Sequence, residues 1–152
     1  MAEATVPENF PQWMKDHIQR YLSSGGKDGH MMPLPSSKTP VPTLLLTTTG
    51  RKSGEKFLFP LIYGKAGESY VIIASKGGAP EHPGWYRNLL ANPAVELQVA
   101  DRKLKAKART ATGAERTTLW SQMAALFPPY NDYQRKAGGR EIPVVVLDPT
   151  DA

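Results

Sequence analysis

The sequence predicts a small, mainly β domain, an antiparallel six-stranded barrel carrying a few short helices. Three observations predict it. Six short segments rich in leucine, isoleucine, valine and threonine recur between Thr43 and Leu147, bounded by glycine, proline, asparagine or aspartate. Most of the spacers are short enough for hairpins, which favours antiparallel pairing over βαβ units. Strands of this kind present bare edges unless the sheet closes, and a barrel removes those edges. The 152 residues have the length of one ordinary domain, and 40% of them are hydrophobic. A domain of that size buries about 68–70% of its unfolded surface. Residues 1–42 read as an N-terminal amphipathic helix with a proline-rich connector, and residues 43–149 as the barrel domain.

In chain order, Asn9 to Leu22 reads as a helix. Phe10, Trp13, Met14, Ile18, Tyr21 and Leu22 recur at i, i+3, i+4 spacing, Asn9 can cap it, Pro11 suits the first turn, and Gly25 and Gly26 end it. Lys15, His17 and Arg20 lie off that apolar stripe. The helix reads as packed on the domain, with a membrane-surface or lid role as the alternative. Lys27 to Pro42, punctuated by Pro33, Pro35 and Pro40, is an extended connector. Thr43–Thr49, Phe57–Tyr63 (with Pro60 marking an edge or bulge) and Ser69–Ser75 are strands, with a turn at Lys65 to Gly67. A glycine-rich loop, Lys76 to Pro80, leads to a helix from Pro83 to Ala91, closed by Asn92-Pro93. Ala94–Ala100 and Arg102–Thr110 form a hairpin turning near Asp101. Thr112-x-x-Glu115 is a capping-box signature for a helix through Phe127, which Pro128 and Pro129 stop. Tyr130 to Arg140 reads as an aromatic and basic loop. Ile142 to Leu147 is almost wholly apolar, so it reads as a strand buried on both faces.

Composition narrows the chemistry. There is no cysteine, which removes disulfides, thiolate metal sites and cysteine nucleophiles, and is compatible with a reducing cytoplasm. No apolar stretch nears the ~20 residues that span a bilayer. The first ten residues lack the basic start and apolar centre of a signal peptide. The net charge of +5 biases the chain toward anionic partners. No H-E-x-x-H, P-loop or G-x-S-x-G motif is present, and His17, His30 and His82 lack metal-ligand spacing, so no metal site is expected.

Four constellations remain. Arg51, Lys52 and Ser53 lie in a glycine-bounded turn after the strand carrying Leu44, Leu45 and Leu46, with Lys56 just beyond; donors and cations converge there as they would around an anion. A solvated hairpin turn is the plain alternative. Ala74-Ser75-Lys76-Gly77-Gly78 ends a strand ahead of a helix whose Gly84, Trp85 and Tyr86 N–H groups would point outward, a second anion site. Tyr130 and Tyr133, at i, i+3, could cover a flat ring and donate hydrogen bonds, or simply seal the barrel end. Lys103, Lys105, Lys107 and Arg109 project from one strand face, which reads as a solvated outer face before an anion-binding stripe. The chain is thus poorly equipped for hydrolysis and better equipped to hold an anionic, ring-bearing cofactor.

T-T-T-G-R-K-S-G (Thr47 to Gly54), A-S-K-G-G (Ala74 to Gly78), P-x-W-Y-x-N-L-x-A-N-P (Pro83 to Pro93) and P-x-Y-x-x-Y (Pro128 to Tyr133) together resemble the deazaflavin-dependent nitroreductase family, over roughly Pro42 to Pro149. The resemblance implies a split β-barrel of the flavin-reductase and pyridoxamine-oxidase type that binds coenzyme F420, an 8-hydroxy-5-deazaflavin with a phosphate and an oligoglutamate tail. By motif, its cofactor contacts fall on Leu45, Leu46 and Thr47; on Arg51, Lys52, Ser53, Gly54, Glu55 and Lys56; on Ile73, Ala74, Ser75 and Lys76; on Gly84, Trp85, Tyr86, Arg87 and Asn88; and on Tyr130. Backbone near Ile73 and Ala74 is expected to meet the ring edge. The implied reaction is hydride transfer from C5 of the reduced deazaflavin to a quinone, activated enone or nitro compound, with Ser75, Tyr130 and Tyr133 as catalytic donors.

Ile62 and Phe127 stand where some nitro-activating relatives carry tyrosine. That departure bears on nitroimidazole activation and not on cofactor binding, and the adjacent Tyr63 faces the other side of its strand. A small-molecule acceptor is the expected partner. The expected location is cytoplasmic, with peripheral contact at the inner membrane face through the first helix as a further reading. Competing readings keep the barrel with FMN or a haem-type ligand, make the protein a non-catalytic deazaflavin carrier, or use the lysine stripe for nucleic acid.

Overall fold

The computed structural model describes residues 6, 10–33 and 40–150. The expected Asn9 cap and Pro35 of the connector lie outside them. Helix α1 (Gln12–Ser23) is followed by strands β1 (Met31–Met32), β2 (Val41–Thr49), β3 (Lys56–Ile62), β4 (Gly64–Ala66) and β5 (Ser69–Ile73). Then come a single 3-10 turn (Lys76–Gly78), α2 (Gly84–Ala91), β6 (Ala94–Val99), β7 (Arg102–Thr110), α3 (Gly113–Leu126), α4 (Pro129–Lys136) and β8 (Val144–Pro149).

All strand pairs are antiparallel, and the sheet runs β3-β2-β6-β7-β8-β5-β4, with β1 added at the start of β2. The two outermost strands, β3 and β4, are consecutive in the chain and separated only by Tyr63. The sheet must therefore curl until its edges meet, giving a split β-barrel. Tyr63 is the joint. Its N–H donates to Pro42 O (3.2 Å), its ring packs on Tyr70 (centroids 5.6 Å apart), and its hydroxyl lies 2.7 Å from His30 Nε2.

Side-chain alternation sorts the apolar residues into an interior and two outer layers. Leu44 and Leu46 of β2, Ile72 of β5 and Val145 and Leu147 of β8 fill the barrel, and Trp85, Tyr86 and Leu89 of α2 plug it. Leu45, between the two inward leucines, packs outward on Ile18 and Tyr21 of α1. Val71, Ile73, Val144 and Val146 face outward beneath α3 and α4. The unbroken apolar run of β8 follows: both of its faces are covered, as its sequence predicts.

Several expectations change. The buried face of α1 is His17, Ile18 and Tyr21, while Trp13 and Leu22 are exposed; the expected stripe is rotated, and His17 lies inside it. The turn expected at Lys65 to Gly67 overlaps β4, and the connector contains β1. Tyr130 to Arg140 is mostly helix α4: Pro129 stands in its first turn, where proline's fixed φ suits a helix start. The capping box does not form. Thr112 makes no side-chain cap bond, and the Glu115 carboxylate accepts two bonds from Arg109 (2.7 and 3.0 Å).

The segment before residue 43 is tied to the barrel. The Tyr21 hydroxyl donates to Thr43 O (2.9 Å) and accepts from Ala100 N–H (2.8 Å) at the β6–β7 turn. Gly26 makes this possible, because a Cβ there would lie 2.1 Å from Ala100 O.

Candidate functional site

The expected residues gather in two places joined by one clamped loop. The first place is the β2–β3 turn. Gly50 N–H donates to Glu55 O (2.7 Å) and Gly54 N–H to Gly50 O (3.0 Å), so the turn is closed by its own backbone. Asn88 of α2 fixes it from outside: its Oδ1 accepts from the Arg51 N–H (3.2 Å) and from Arg51 Nη1 (2.8 Å). Lys52, Ser53, Gly54 and Glu55 face solvent, while Lys56 is paired with Glu96 (2.8 Å). Of the turn's three cations, Lys52 is the one with no ion-pair or hydrogen-bond partner among the described residues.

At the start of α2, the expected N–H cluster is smaller by one. The Tyr86 N–H donates to Pro83 O (3.1 Å), which leaves those of Gly84 and Trp85 without a partner among the described residues. Trp85, Tyr86 and Asn88 are buried, with the Tyr86 hydroxyl 2.8 Å from Thr110 Oγ1, so their side chains serve the core and the turn. Leu45 and Leu46 are likewise core side chains on a strand paired on both edges. Arg87 is exposed. A Cβ at Gly54 or Gly84 would meet nothing within 4 Å, so the outer side of both segments is open. Unsatisfied N–H groups, an exposed lysine and free space fit a phosphate-bearing, polyanionic cofactor.

The second place is a cleft of about 350 Å³. Trp13, Met14 and His17 of α1, Met32 and Thr43 form part of its wall, and Pro60, Leu61 and Ile62 another part. Ile73, Ser75, Phe127, Tyr130 and Tyr133 complete it. The three expected donors thus share one cavity of a size suited to a small molecule. Tyr130 and Tyr133 sit at i, i+3 on α4, with rings edge-to-face at 6.2 Å, and Phe127 packs on Tyr130 at 5.0 Å. Burial, and then the neighbouring Tyr133, push the Tyr130 phenol well above its ordinary range, so it stays protonated as a hydrogen-bond donor. Ile62 and Phe127, the two positions that lack the hydroxyl, both line the cleft.

The loop between the two places is held by Arg140. Its guanidinium donates to Ala74 O (3.1 Å), Ser75 O (2.7 Å) and Ala79 O (2.9 Å) and lies 3.0 Å from His82 Nδ1. Burial lowers the pKa of both Arg140 and His82, and the cation beside His82 adds to the effect there. Ala74 is fully committed, since its N–H donates to Pro143 O (3.1 Å) while its carbonyl accepts from Arg140. Among the described residues the N–H groups of Ser75 and Lys76 have no hydrogen-bond partner, whereas that of Ala74 is taken. Lys76 is paired with Glu81 (3.2 Å). Gly78 lets α4 close on the turn, because a Cβ there would lie 2.8 Å from Tyr133 O.

Sequence reasoning did not assign Trp13, Met14, His17 or Arg140 to the site. The i, i+1, i+4 spacing of the first three was a usable signal for a shared helix face. Arg140 gave none, because its partners are mostly main-chain carbonyls that any residue could supply. Lys103, Lys105 and Lys107 project outward from β7 and are exposed, whereas Arg109 is bound to Asp148 (2.7 Å) and Glu115.

Comparison with known proteins bears on this arrangement. Residues 13–149 match the model of a family described as F420H(2)-dependent quinone reductase, so the likeness includes α1. The chain is 37% identical, over 139 residues, to the F420H(2)-dependent quinone reductase Rv1261c of Mycobacterium tuberculosis (strain H37Rv), covering 90% of this chain and 89% of the relative. It is similar to the solved structure of an F420-H2 dependent reductase, FDR-A, at 44% identity and TM-score 0.66, covering 70% of this chain and 94% of that one. A structure described as a domain-swapped dimer is 38% identical at TM-score 0.67, covering 90% of this chain and 98% of that one.

Proposed function

Because this chain belongs to the family of F420H(2)-dependent quinone reductases, and is thereby an F420-dependent oxidoreductase, we propose that its cleft takes a quinone-type acceptor and its basic turn the cofactor's anionic groups. The observation that carries this reading is the meeting of Ser75, Tyr130 and Tyr133 in one largely apolar cavity, joined to the cationic turn by a rigid loop.

When bound, the reduced deazaflavin supplies a hydride at its C5. Lys52, Arg51 and the N–H groups of Gly84 and Trp85 would hold its phosphate and carboxylate groups. The N–H groups of Ser75 and Lys76 would be available to the ring edge, on a loop that Arg140 keeps in place. Ser75, Tyr130 and Tyr133 donate toward the acceptor oxygen on which negative charge grows, so their contribution is larger in the transition state than before it. The apolar wall excludes water and favours a ring-bearing substrate. With Ile62 and Phe127 in place of hydroxyl-bearing side chains, quinones are favoured over nitroimidazoles.

Fluorescence titration of the purified protein with coenzyme F420 and with FMN tests the reading. Micromolar or tighter binding of F420, and weaker binding of FMN, is expected. Lys52→Ala should weaken F420 binding several-fold at low salt, with the loss shrinking as salt rises. Lys56→Ala should do less, because Glu96 already holds that ammonium. A preference for FMN would discard the deazaflavin reading, and equal F420 affinity in Lys52→Ala at low salt would remove the turn from the site.

A further inference from the structure

Two pairs of N–H donors without a partner among the described residues, those of Ser75 and Lys76 and those of Gly84 and Trp85, flank His82 in the chain. Arg140 ties the two pairs together through that histidine. Its Nη1 has two hydrogens: one goes to Ala74 O (3.1 Å) and the other to Nδ1 of His82 (3.0 Å). A guanidinium only donates, so Nδ1 accepts through its lone pair, and the neutral ring carries its hydrogen on Nε2. Nε and Nη2 of the same guanidinium hold Ala79 O (2.9 Å) and Ser75 O (2.7 Å). The clamp thus joins the loop of Ser75 and Lys76 to His82, which Pro83 connects directly to Gly84 at the start of α2. Around the ring stand Tyr86 of α2, edge-to-face at 4.9 Å, the exposed Arg87, and Glu81, whose carboxylate is bound to Lys76 (3.2 Å). His82 is only partly buried, so solvent reaches it.

We propose that neutral His82 is a positioning residue of the reaction: its Nδ1 completes the Arg140 clamp that aligns the Ser75 and Lys76 donors with those of Gly84 and Trp85, and a proton on Nδ1 undoes it. The proposal rests on the reading that the cofactor occupies those donors. A second proton can enter the ring only at Nδ1, the atom that Arg140 occupies, so protonation and the clamp exclude each other. The imidazolium would set one N–H against another and one cation beside another. The three carbonyl bonds of the guanidinium stay with the loop, and what is lost is the link to α2. Ser75, a donor to the acceptor oxygen, and Gly84 and Trp85, donors to the cofactor's anionic groups, then no longer share one frame. Burial lowers the His82 pKa, and the charges of Arg140 and Arg87 lower it further. The sign follows: the clamp is complete above the ordinary imidazole value, about 6.5, and is lost as pH falls through a folded value below it. A side chain that merely packed would give no such dependence.

Two measurements test this. In His82→Asn the side-chain oxygen stands near the Nδ1 position and can accept from Arg140, but it does not titrate. The ratio of quinone kcat at pH 7.5 to kcat at pH 4.5, with reduced F420 saturating, is expected to be at least threefold smaller in this variant than in wild type, because the acid limb that His82 supplies is missing. Ionisations of the cofactor, the quinone and other side chains are common to both proteins and cancel in the comparison. Independently of turnover, nuclear magnetic resonance of cofactor-free wild-type protein should show the His82 ring titrating with a midpoint below about 6.5, and the amide signals of Ser75, Lys76, Gly84 and Trp85 moving along the same curve. A ratio less than threefold smaller in His82→Asn, a His82 ring that does not titrate between pH 4.5 and pH 8, or amide signals that stay still as it titrates overturns the proposal. Wild-type protein that binds no F420 or reduces no quinone would overturn the functional reading instead, and the resonance titration, which needs neither, would still decide whether His82 controls the clamp.

Discussion

Tyr130 and Tyr133 show how one side chain's surroundings set its chemistry. Both come from a single helix face, yet Tyr130 is 4% exposed and held far from ionisation by burial, whereas Tyr133 is only half-buried. Removing one oxyanion-type donor costs about 10²–10³-fold in kcat. With three donors sharing the charge, Ser75→Ala and Tyr130→Phe are each expected to lower quinone turnover about tenfold or more while changing F420 affinity less than about threefold. Steady-state kinetics beside a binding titration reads the two separately, and wild-type turnover in both variants would remove the donor role. The P-x-Y-x-x-Y and A-S-K-G-G motifs made these three residues nameable as candidates from the sequence, and the structure brings them to one cleft. The wall opposite them was not legible in the sequence, because His17 reads as polar until the Gly29 carbonyl and Thr43 are seen around it.

At the scale of elements, the decisive contact is between α4 and the 3-10 turn. Gly78 has φ +87°, and a Cβ there would collide with Tyr133 O and press on Lys136 Cβ at 3.0 Å. The left-handed backbone alone costs a non-glycine residue about 1–2 kcal/mol. Gly78→Ala is therefore expected to destabilise the protein by roughly 2 kcal/mol, and to raise KM for the quinone by displacing Tyr133 from the cleft. Chemical denaturation and kinetics would show both effects. A variant as stable and active as wild type would mean that α4 does not need this close approach. The glycine pair was visible in the sequence as a place where backbone could approach a ligand. The structure assigns Gly78 to a different approach, that of α4. The helix itself was hidden because Pro128-Pro129 reads equally as the stop of one helix and the first turn of the next.

Across the whole molecule, Arg109 links distant parts of the chain. It binds Asp148 on β8 and Glu115 on α3, and Asp148 accepts in turn from Ser69 Oγ on β5 (2.6 Å). The Arg109 hydrogen bonds hold the Glu115 carboxyl below its usual range. Burial pushes Asp148 up, but the Ser69 and Arg109 hydrogen bonds bring it below its usual range on balance. Carboxylates with depressed folded pKa values stabilise fully above their unfolded values, about 4, and lose that contribution as pH falls through the folded values. Glu115→Gln should thus lower the melting temperature at pH 7, and the gap from wild type should close below about pH 4. A gap that persists at pH 3 would show that Glu115 acts through packing and not through charge. Pairs this exposed contribute modestly, so precise calorimetry is the suitable measurement.

The sequence by itself determined the antiparallel strands, the burial of the last strand on both faces, the two turns suited to anions, and the family. Those features depend on local period and turn chemistry, which adjacent residues carry. Tertiary structure alone decided that β3 and β4 are the two outer strands joined at Tyr63, that α1 closes one side of the cleft with His17 inward, and that Arg140 grips a loop more than sixty residues away. Each of these is a contact between segments far apart in the chain, fixed by which surfaces remain to be covered once the barrel has curled, and no local pattern encodes that choice.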